Sequence, residues 1–314
     1  MTARLTVLAS GSSGNATLLE VNGFGLLIDC GLNPRMLTSR LQGVGASWKK
    51  VNAVILTHTH GDHWKDLTFA HLRTHDIPVY AHPDHFDHLE SAAPSFPPLR
   101  KAALTRTYAS GREIELAPGL TCFPIWVSHD SDPTFAFRFD HADGDGPAWS
   151  VAYASDLGCA SAELTEAFAG VDVLAVEYNH DEQMERNSPR PAYLVQRVLG
   201  DSGHLSNRQA AELTRAVLKK SVGVPLTHLV QLHLSRDCNH PHLAESAGRN
   251  ALADLAPSAS VVTARQDVPS RSIPLARRPG VVRKPAPRPV PVTAPKPQPR
   301  KLARPCLPGF DPTF

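Results

Sequence analysis

Several features common in other protein classes are absent from this 314-residue sequence. No uninterrupted run of about eighteen apolar residues occurs, so the sequence predicts no membrane-spanning helix. The N-terminus lacks the apolar core of a secretory signal, so we expect a cytoplasmic protein. The five scattered cysteines form no Cys-x-x-Cys pair, which argues against both a disulfide framework and a thiolate zinc site.

Charge and proline are distributed unevenly along the chain. The formal net charge is only +2, but residues 269–314 hold ten basic residues and one acidic residue, whereas residues 1–268 hold 22 basic and 29 acidic residues. Thirteen of the 28 prolines also lie in residues 269–314. Such a segment buries too little apolar surface to offset its chain entropy. We therefore predict one folded domain over residues 1–268 and a disordered, basic, proline-rich tail over residues 269–314.

Short strand-like and helix-like segments alternate through the predicted domain. Residues 5–9, 16–21 and 53–56 are apolar runs typical of buried strands. Pro34 at a first-turn position predicts a helix over residues 34–43, and Ser206 is a good N-cap for a helix over residues 207–220. This alternation is typical of an α/β protein built from packed layers.

A dense histidine cluster follows the strand predicted at residues 53–56. All sixteen histidines lie between His58 and His242, and residues 58–63 are His-Thr-His-Gly-Asp-His. A loop at a strand end can turn several of these side chains toward one point. Imidazole and carboxylate groups suit Zn²⁺ and also Mn²⁺ or Fe²⁺. We therefore predict metal ligands at His58, His60, Asp62 and His63.

A two-metal site needs more ligands than this loop supplies. Three further candidates each follow an apolar, strand-like run, and strand ends are where the sites of α/β proteins collect. These candidates are His129, Asp156 and His233. A carboxylate that bridges two cations would compensate the charge of both, and we assign that position to Asp156.

The pattern resembles the metallo-β-lactamase fold superfamily. The resemblance rests on the His-x-His-x-Asp-His segment, on the three separated candidates and on Leu-Leu-Ile-Asp-Cys-Gly at residues 26–31. It implies an αββα sandwich, in which two packed sheets carry helices on both outer faces. The ligand sets that it implies are His58, His60 and His129 for one ion and Asp62, His63 and His233 for the other, with Asp156 bridging. It also implies that Asp29 supports the ligands without being one.

Four further segments resemble the YycJ/WalJ-type branch of this superfamily. They are LASGSSGN at residues 8–15, EYNHD at 177–181, GHLSN at 203–207 and LHLS at 232–235. The resemblance covers about residues 4–255 and implies that the domain over residues 1–268 is catalytic. Such a domain acts as an exonuclease or phosphodiesterase on nucleic acid through a hydroxide bridging two divalent ions. We expect DNA in preference to RNA. We expect Zn²⁺, with Mn²⁺ as the alternative.

Two other functions are compatible with the same metal ligands. A thioesterase or lactone hydrolase would direct the same attack at a carbonyl carbon instead of a phosphorus. A nucleic-acid-binding protein would use the metal only as a structural element. The basic tail could bind nucleic acid or a protein partner, or serve as a solvated linker.

Three residues are candidates for direct catalysis. Asp62 would orient the nucleophile as well as bind metal. His180 and His204 are not needed to complete the ligand set, so either could protonate the leaving oxygen or hold a phosphate. Alternatively, His180 could support a ligand through a hydrogen bond, and His204 could simply precede a helix.

Three residues are candidates for substrate contact. Asn179 and Asn207 could donate hydrogen bonds to the substrate. Ser12 lies in the Gly/Ser segment at residues 10–15, which could form either a backbone nest for phosphate or a hairpin turn.

Overall fold

The computed structural model describes residues 3–131 and 133–281, which form two compact units. The described part of unit 1 consists of residues 3–108, 232–236 and 263–276. That of unit 2 consists of residues 109–231, 237–262 and 277–281, apart from residue 132. Within the described ranges, no helix is both long enough and apolar enough to cross a membrane.

Unit 1 carries a seven-stranded mixed sheet. Its strands are β1 (Ala3–Ala9), β2 (Ala16–Val21), β3 (Phe24–Ile28), β4 (Ala53–Ile55), β5 (Val79–Ala81), β6 (Thr105–Thr107) and β14 (Ile273–Leu275). The order is β14-β1-β2-β3-β4-β5-β6, antiparallel from β14 to β3 and parallel from β3 to β6. Its helices are α1 (Pro34–Gly43), α2 (Asp66–Thr74), α3 (Phe86–Ala92) and α4 (Phe96–Lys101), with short 3₁₀ turns at Trp48–Lys50 and Pro83–His85.

The parallel part of this sheet positions the histidine cluster. β3 and β4 are short, apolar and almost wholly buried, as expected for central parallel strands. Because they run in the same direction, their carboxyl ends lie at the same edge of the sheet. Asp29 follows β3 at this edge, and the loop that begins at Thr57 follows β4.

Unit 2 carries a second seven-stranded mixed sheet. Its strands are β7 (Ile114–Ala117), β8 (Leu120–Val127), β9 (Thr134–Asp143), β10 (Gly146–Ala154), β11 (Val173–Glu177), β12 (His228–Leu232) and β13 (Ser260–Thr263), in the order β13-β12-β11-β10-β9-β8-β7. β7 to β10 form an antiparallel meander, and β11 pairs parallel to β10. Its helices are α5 (Ala162–Ala167), α6 (Glu182–Arg186), α7 (Ala192–Leu199), α8 (Asn207–Lys220) and α9 (Pro241–Leu252).

Two helices were predicted with the bounds that the structure shows. α1 begins after Asn33, whose side chain accepts a hydrogen bond from the amide of Met36, and Pro34 occupies its first turn. α8 begins with a capping box in which Ser206 and Gln209 exchange side-chain and backbone hydrogen bonds. Both helix starts therefore follow from local capping chemistry.

The first sheet extends into the segment that was expected to be a disordered tail. Ile273 and Leu275 are buried and Pro274 is exposed, and β14 pairs antiparallel to the edge of β1. Proline is tolerated there because β14 is an edge strand. The folded chain thus continues beyond residue 268, and the rest of the expected tail, residues 282–314, lies outside the described residues.

Candidate metal centre

Asp29 stabilises the histidine cluster through hydrogen bonds to Thr57 and His63. It is fully buried and adopts a positive φ of 62° directly after β3. Its Oδ1 accepts a hydrogen bond from the Thr57 amide at 2.8 Å, and its Oδ2 lies 2.8 Å from His63 Nδ1. Burial raises the pKa of the Asp29 carboxyl, and the neighbouring His63 opposes that shift. Because Nδ1 donates to Asp29, the Nε2 lone pair of His63 is available for a metal.

Asp62, His63 and His233 form one cluster within unit 1. Their potential ligand atoms all lie within 4.8 Å of one another, and Asp62 Oδ2 is 3.5 Å from His63 Nε2 and 3.3 Å from His233 Nε2. Burial acts to raise the pKa of Asp62, but attraction to the two histidines outweighs burial and holds that pKa well below its ordinary value. Two imidazoles and a carboxylate fit a divalent cation.

His58 and His60 lie on the same loop. His58 is fully buried, and its ring centroid is 4.0 Å from that of His63 and 4.9 Å from that of His60. The loop is held where it ends, because the indole of Trp64 donates a hydrogen bond to the carbonyl of Thr59 at 2.8 Å. The four metal-capable side chains of residues 58–63 therefore share one short loop of unit 1, which this hydrogen bond helps to hold.

A second group of metal-capable residues lies within unit 2. His129 Nδ1 is 2.9 Å from the Gly203 carbonyl, which it can donate to, and His129 Nε2 is 3.8 Å from Asp156 Oδ1. Asp156 and His129 are both buried. Because Nδ1 of His129 is oriented by the Gly203 carbonyl, its Nε2 faces the Asp156 carboxylate. Nε2 and the carboxylate are therefore placed as two ligands of one cation would be.

Glu177 is a residue of this group to which the sequence interpretation gave no role. It is fully buried at the end of β11, and its Oε1 lies 2.6 Å from His204 Nδ1. Its Oε2 accepts hydrogen bonds from the amides of Leu157 and Leu205. The sequence signals were its position after an apolar run and its place in the EYNHD segment, and neither reveals the contact with His204, 27 residues later.

The other predicted catalytic and substrate residues lie in different environments. His180 is fully buried, neither ring nitrogen has a hydrogen-bond partner in the described part of the chain, and burial lowers its pKa to about 4. Asn207 is buried and exchanges side-chain hydrogen bonds with Asn239 at 2.9 and 3.0 Å, so its amide has a structural partner. Asn179 is also buried, whereas Ser12 is exposed.

The Gly/Ser segment at residues 10–15 forms a tight turn. The Gly11 and Gly14 amides donate to acceptors within the turn, and the Ser13 amide donates to the side chain of Gln266. These three amides are therefore engaged, which supports the turn hypothesis over a backbone nest for phosphate. Asn15, at the end of the turn, contacts Asp62 and His63 and was not identified from the sequence.

Comparison with known proteins connects this chain to characterised families. Residues 25–228 match the family described as the Beta-lactamase superfamily domain. Exodeoxyribonuclease YycJ of Bacillus anthracis is 27% identical over 239 residues, covering 76% of this chain and 85% of the relative. Exodeoxyribonuclease WalJ of Streptococcus pneumoniae is 28% identical over 256 residues, covering 80% and 88%. The solved structure of the metallo-β-lactamase fold protein YhfI from Bacillus subtilis matches with a TM-score of 0.61 at 17% identity, covering 87% of this chain and all of YhfI.

These similarities confirm the fold class expected from the sequence, an α/β protein of the metallo-β-lactamase type. The fold implies divalent metal ions, and the cluster of Asp62, His63 and His233 offers a donor set that fits one. With the family match covering about two thirds of its length, the chain belongs to the β-lactamase superfamily of hydrolases with the metallo-β-lactamase fold, in a YycJ/WalJ-like branch.

Proposed function

We propose that this protein is a metal-dependent phosphodiesterase that acts as an exonuclease on DNA. The observation that carries the proposal is the convergence of Asp62, His63 and His233, with Asp29 fixing the orientation of His63. Further support comes from two relatives that align over most of both chains and are named exodeoxyribonucleases; these names are our reason for proposing DNA instead of RNA as the substrate. The cytoplasmic location expected from the sequence remains a prediction.

The proposal includes two divalent ions, Zn²⁺ in preference to Mn²⁺. The proposed ligands are those implied by the family resemblance: His58, His60, Asp62, His63, His129, Asp156 and His233. Such ions, when bound, would activate a water molecule for attack and stabilise the negative charge that develops on the phosphate.

The chain's own residues would set the orientation of these ligands. Asp29 accepts from His63 and the Gly203 carbonyl faces His129 Nδ1, so the Nε2 of each histidine is directed to the ion. Asp62 retains 20% exposure of its side chain, in contrast to the fully buried His63. Asp62 is therefore the ligand in unit 1 that can also orient an attacking water.

His204 is the residue that we propose as general acid. Its side chain is 17% exposed, and the buried carboxylate of Glu177 lies 2.6 Å from its Nδ1. A buried carboxylate at that nitrogen orients the imidazole and stabilises its protonated form. His204 would then give the proton on Nε2 to the leaving oxygen of the phosphodiester.

The proposal also includes His180, the three predicted substrate residues and the basic tail. A catalytic role for His180 remains a prediction, since its ring is fully buried. Ser12 is the predicted substrate residue with an exposed side chain, whereas Asn179 and Asn207 are buried. We propose nucleic-acid binding for the basic tail, with binding to a protein partner as the alternative.

Metal analysis and a substrate panel test the proposed function. The purified protein should hold about two divalent ions and digest end-labelled DNA, and DNA and RNA labelled at either end would establish substrate preference and direction. Asp62→Asn should abolish digestion, whereas the matched control Asp87→Asn, on the exposed surface of α3, should leave it unchanged. Turnover of thioesters or lactones without any phosphodiester cleavage would contradict the proposal and favour the alternative hydrolase. Full digestion by Asp62→Asn would contradict the assigned site.

A further inference from the structure

We infer that Ser10 and Asn15 form a hydrogen-bonded frame that positions Asp62, His63 and His233 for metal binding. The inference rests on the proposed metal-dependent function of these three residues. It gives a role to Ser10 and Asn15, two residues of the Gly/Ser turn at residues 10–15 that the proposed chemistry does not otherwise use. All the residues concerned belong to unit 1.

The orientation of the Asn15 amide is fixed by the backbone of Gly11. Asn15 is fully buried, its Oδ1 accepts from the Gly11 amide at 2.9 Å, and its Nδ2 donates to the Gly11 carbonyl at 3.2 Å. If the side-chain amide of Asn15 were rotated by half a turn, its NH₂ group would face the Gly11 N–H and its oxygen would face the Gly11 carbonyl, so both hydrogen bonds would be lost. The second N–H of Nδ2 is therefore directed away from Gly11.

That second N–H faces two of the proposed metal ligands. Asn15 Nδ2 lies 3.1 Å from Asp62 Oδ2 and 3.1 Å from His63 Nε2. Since His63 donates through Nδ1 to Asp29, its Nε2 acts as an acceptor toward Asn15. Asn15 thus holds the Asp62 carboxylate oxygen and the His63 imidazole nitrogen close to each other. When His63 Nε2 binds a cation, Asn15 can still donate to the Asp62 carboxylate.

Ser10 connects the same frame to the third ligand. The Ser10 hydroxyl donates to Asn15 Oδ1 at 3.3 Å and accepts from the His233 amide at 2.8 Å. His233 has a positive φ of 53°, an uncommon conformation for a residue with a side chain. The hydrogen bond from its amide to Ser10 supports this conformation, which sets the direction of the imidazole.

The frame is anchored to the rest of unit 1 on both sides. The backbone N–H of Asn15 donates to the backbone carbonyl of Asp62 at 2.8 Å, and the backbone carbonyl of Asn15 accepts from the backbone N–H of Gly31 at 2.9 Å. Gln266 holds the turn between the two frame residues, because it accepts from the Ser13 amide and donates to the Gly14 carbonyl. The positions of Ser10 and Asn15 are thus set independently of a bound metal.

Metal affinity in the absence of substrate tests the inference. The zinc affinity of the full-length protein would be measured by competition with a chelator for the wild type, Asn15→Ala and Ser10→Ala. Loss of a residue that orients ligands typically weakens metal binding about 10- to 100-fold, and we expect this for Asn15→Ala, with a smaller loss for Ser10→Ala. Asn33→Ala is a matched control in unit 1, because it removes the cap of α1 but touches no proposed ligand. Asn33→Ala should lower stability and leave zinc affinity unchanged.

A folded Asn15→Ala with wild-type zinc affinity would overturn the inference. If Asn15→Ala does not fold, the inference is tested with Ser10→Ala instead. The visible spectrum of the Co²⁺ form of Ser10→Ala should differ from that of the wild type, because the ligand geometry at His233 changes. An unchanged spectrum together with unchanged affinity would overturn the inference. A wild-type protein that binds no metal would instead contradict the proposed function, so the two failures are distinguishable.

Discussion

Replacement of Glu177 by glutamine tests the proposed general acid with minimal change of shape. The glutamine carbonyl can replace Oε2 and accept from the amides of Leu157 and Leu205, which lie 2.9 and 3.2 Å away. Its NH₂ group then faces His204 Nδ1, where the carboxylate oxygen lay at 2.6 Å. One charge-assisted hydrogen bond is lost, which should lower the free energy of unfolding by about 1.5–3 kcal/mol. His204 also loses the carboxylate that stabilises its protonated form.

The kinetic consequence should depend on the leaving group. Cleavage of DNA expels an alkoxide that needs a proton, so kcat on DNA should fall about 100-fold or more. Bis(p-nitrophenyl) phosphate expels p-nitrophenolate, which is stable without a proton, so its kcat should change only a few-fold. Both rates would be measured for the wild type, Glu177→Gln and the exposed control Glu166→Gln. An equal loss on both substrates, or no loss on DNA, would refute the assignment of His204 as the acid.

A Cβ at Gly31 would lie 1.6 Å from the carbonyl oxygen of Asp62, so Gly31→Ala should displace the histidine loop. We expect a loss of about 2 kcal/mol of unfolding free energy in urea and weaker binding in a zinc titration, and wild-type values in both assays would contradict the geometry. Burial lowers the pKa of His180 from 6.5, its ordinary value, to about 4, so protons favour the unfolded chain between these values and the stability present at pH 7 should fall on acidification. His180→Leu should therefore lose about 2 kcal/mol less unfolding free energy than the wild type between pH 7 and 5, and an equal loss would be the contrary result. Deletion of residues 282–314 should lower DNA affinity and flatten its salt dependence while sparing turnover of bis(p-nitrophenyl) phosphate; unchanged DNA binding would exclude a nucleic-acid role for that segment.

Local patterns predicted the elements whose signals are contained in a few neighbouring residues. The start of α1 at Pro34 and that of α8 after Ser206 depend on capping chemistry within one turn, so the sequence sufficed. α9 was missed because its buried face consists largely of small residues, including Ala244, Gly248 and Ala251, which give little apolar periodicity. β14 was missed because its composition is that of the tail, and only its pairing with β1 makes it a strand.

The candidate site shows the same division between local and distant information. The histidine loop was visible because four metal-capable side chains fall within six consecutive residues. Asn15 was not identified, because its role depends on contacts with Asp62 and His63, which lie 47 and 48 positions away. A buried asparagine and a turn asparagine look alike in a sequence, and only the fold distinguishes an amide that holds a ligand from one that holds a loop.

The discontinuity of unit 1 along the chain has a consequence for synthesis on the ribosome. Asp62 and His63 leave the ribosome early, but His233 is made only after most of unit 2. The three-ligand cluster therefore cannot be complete until His233 has been translated. β14 follows later still, so the outer edge of β1 stays unpaired until residues 273–275 have been made, and until then it is an exposed template for pairing with other nascent chains. Metal uptake with all three ligands and closure of that sheet edge thus follow the synthesis of residues 109–231 of unit 2.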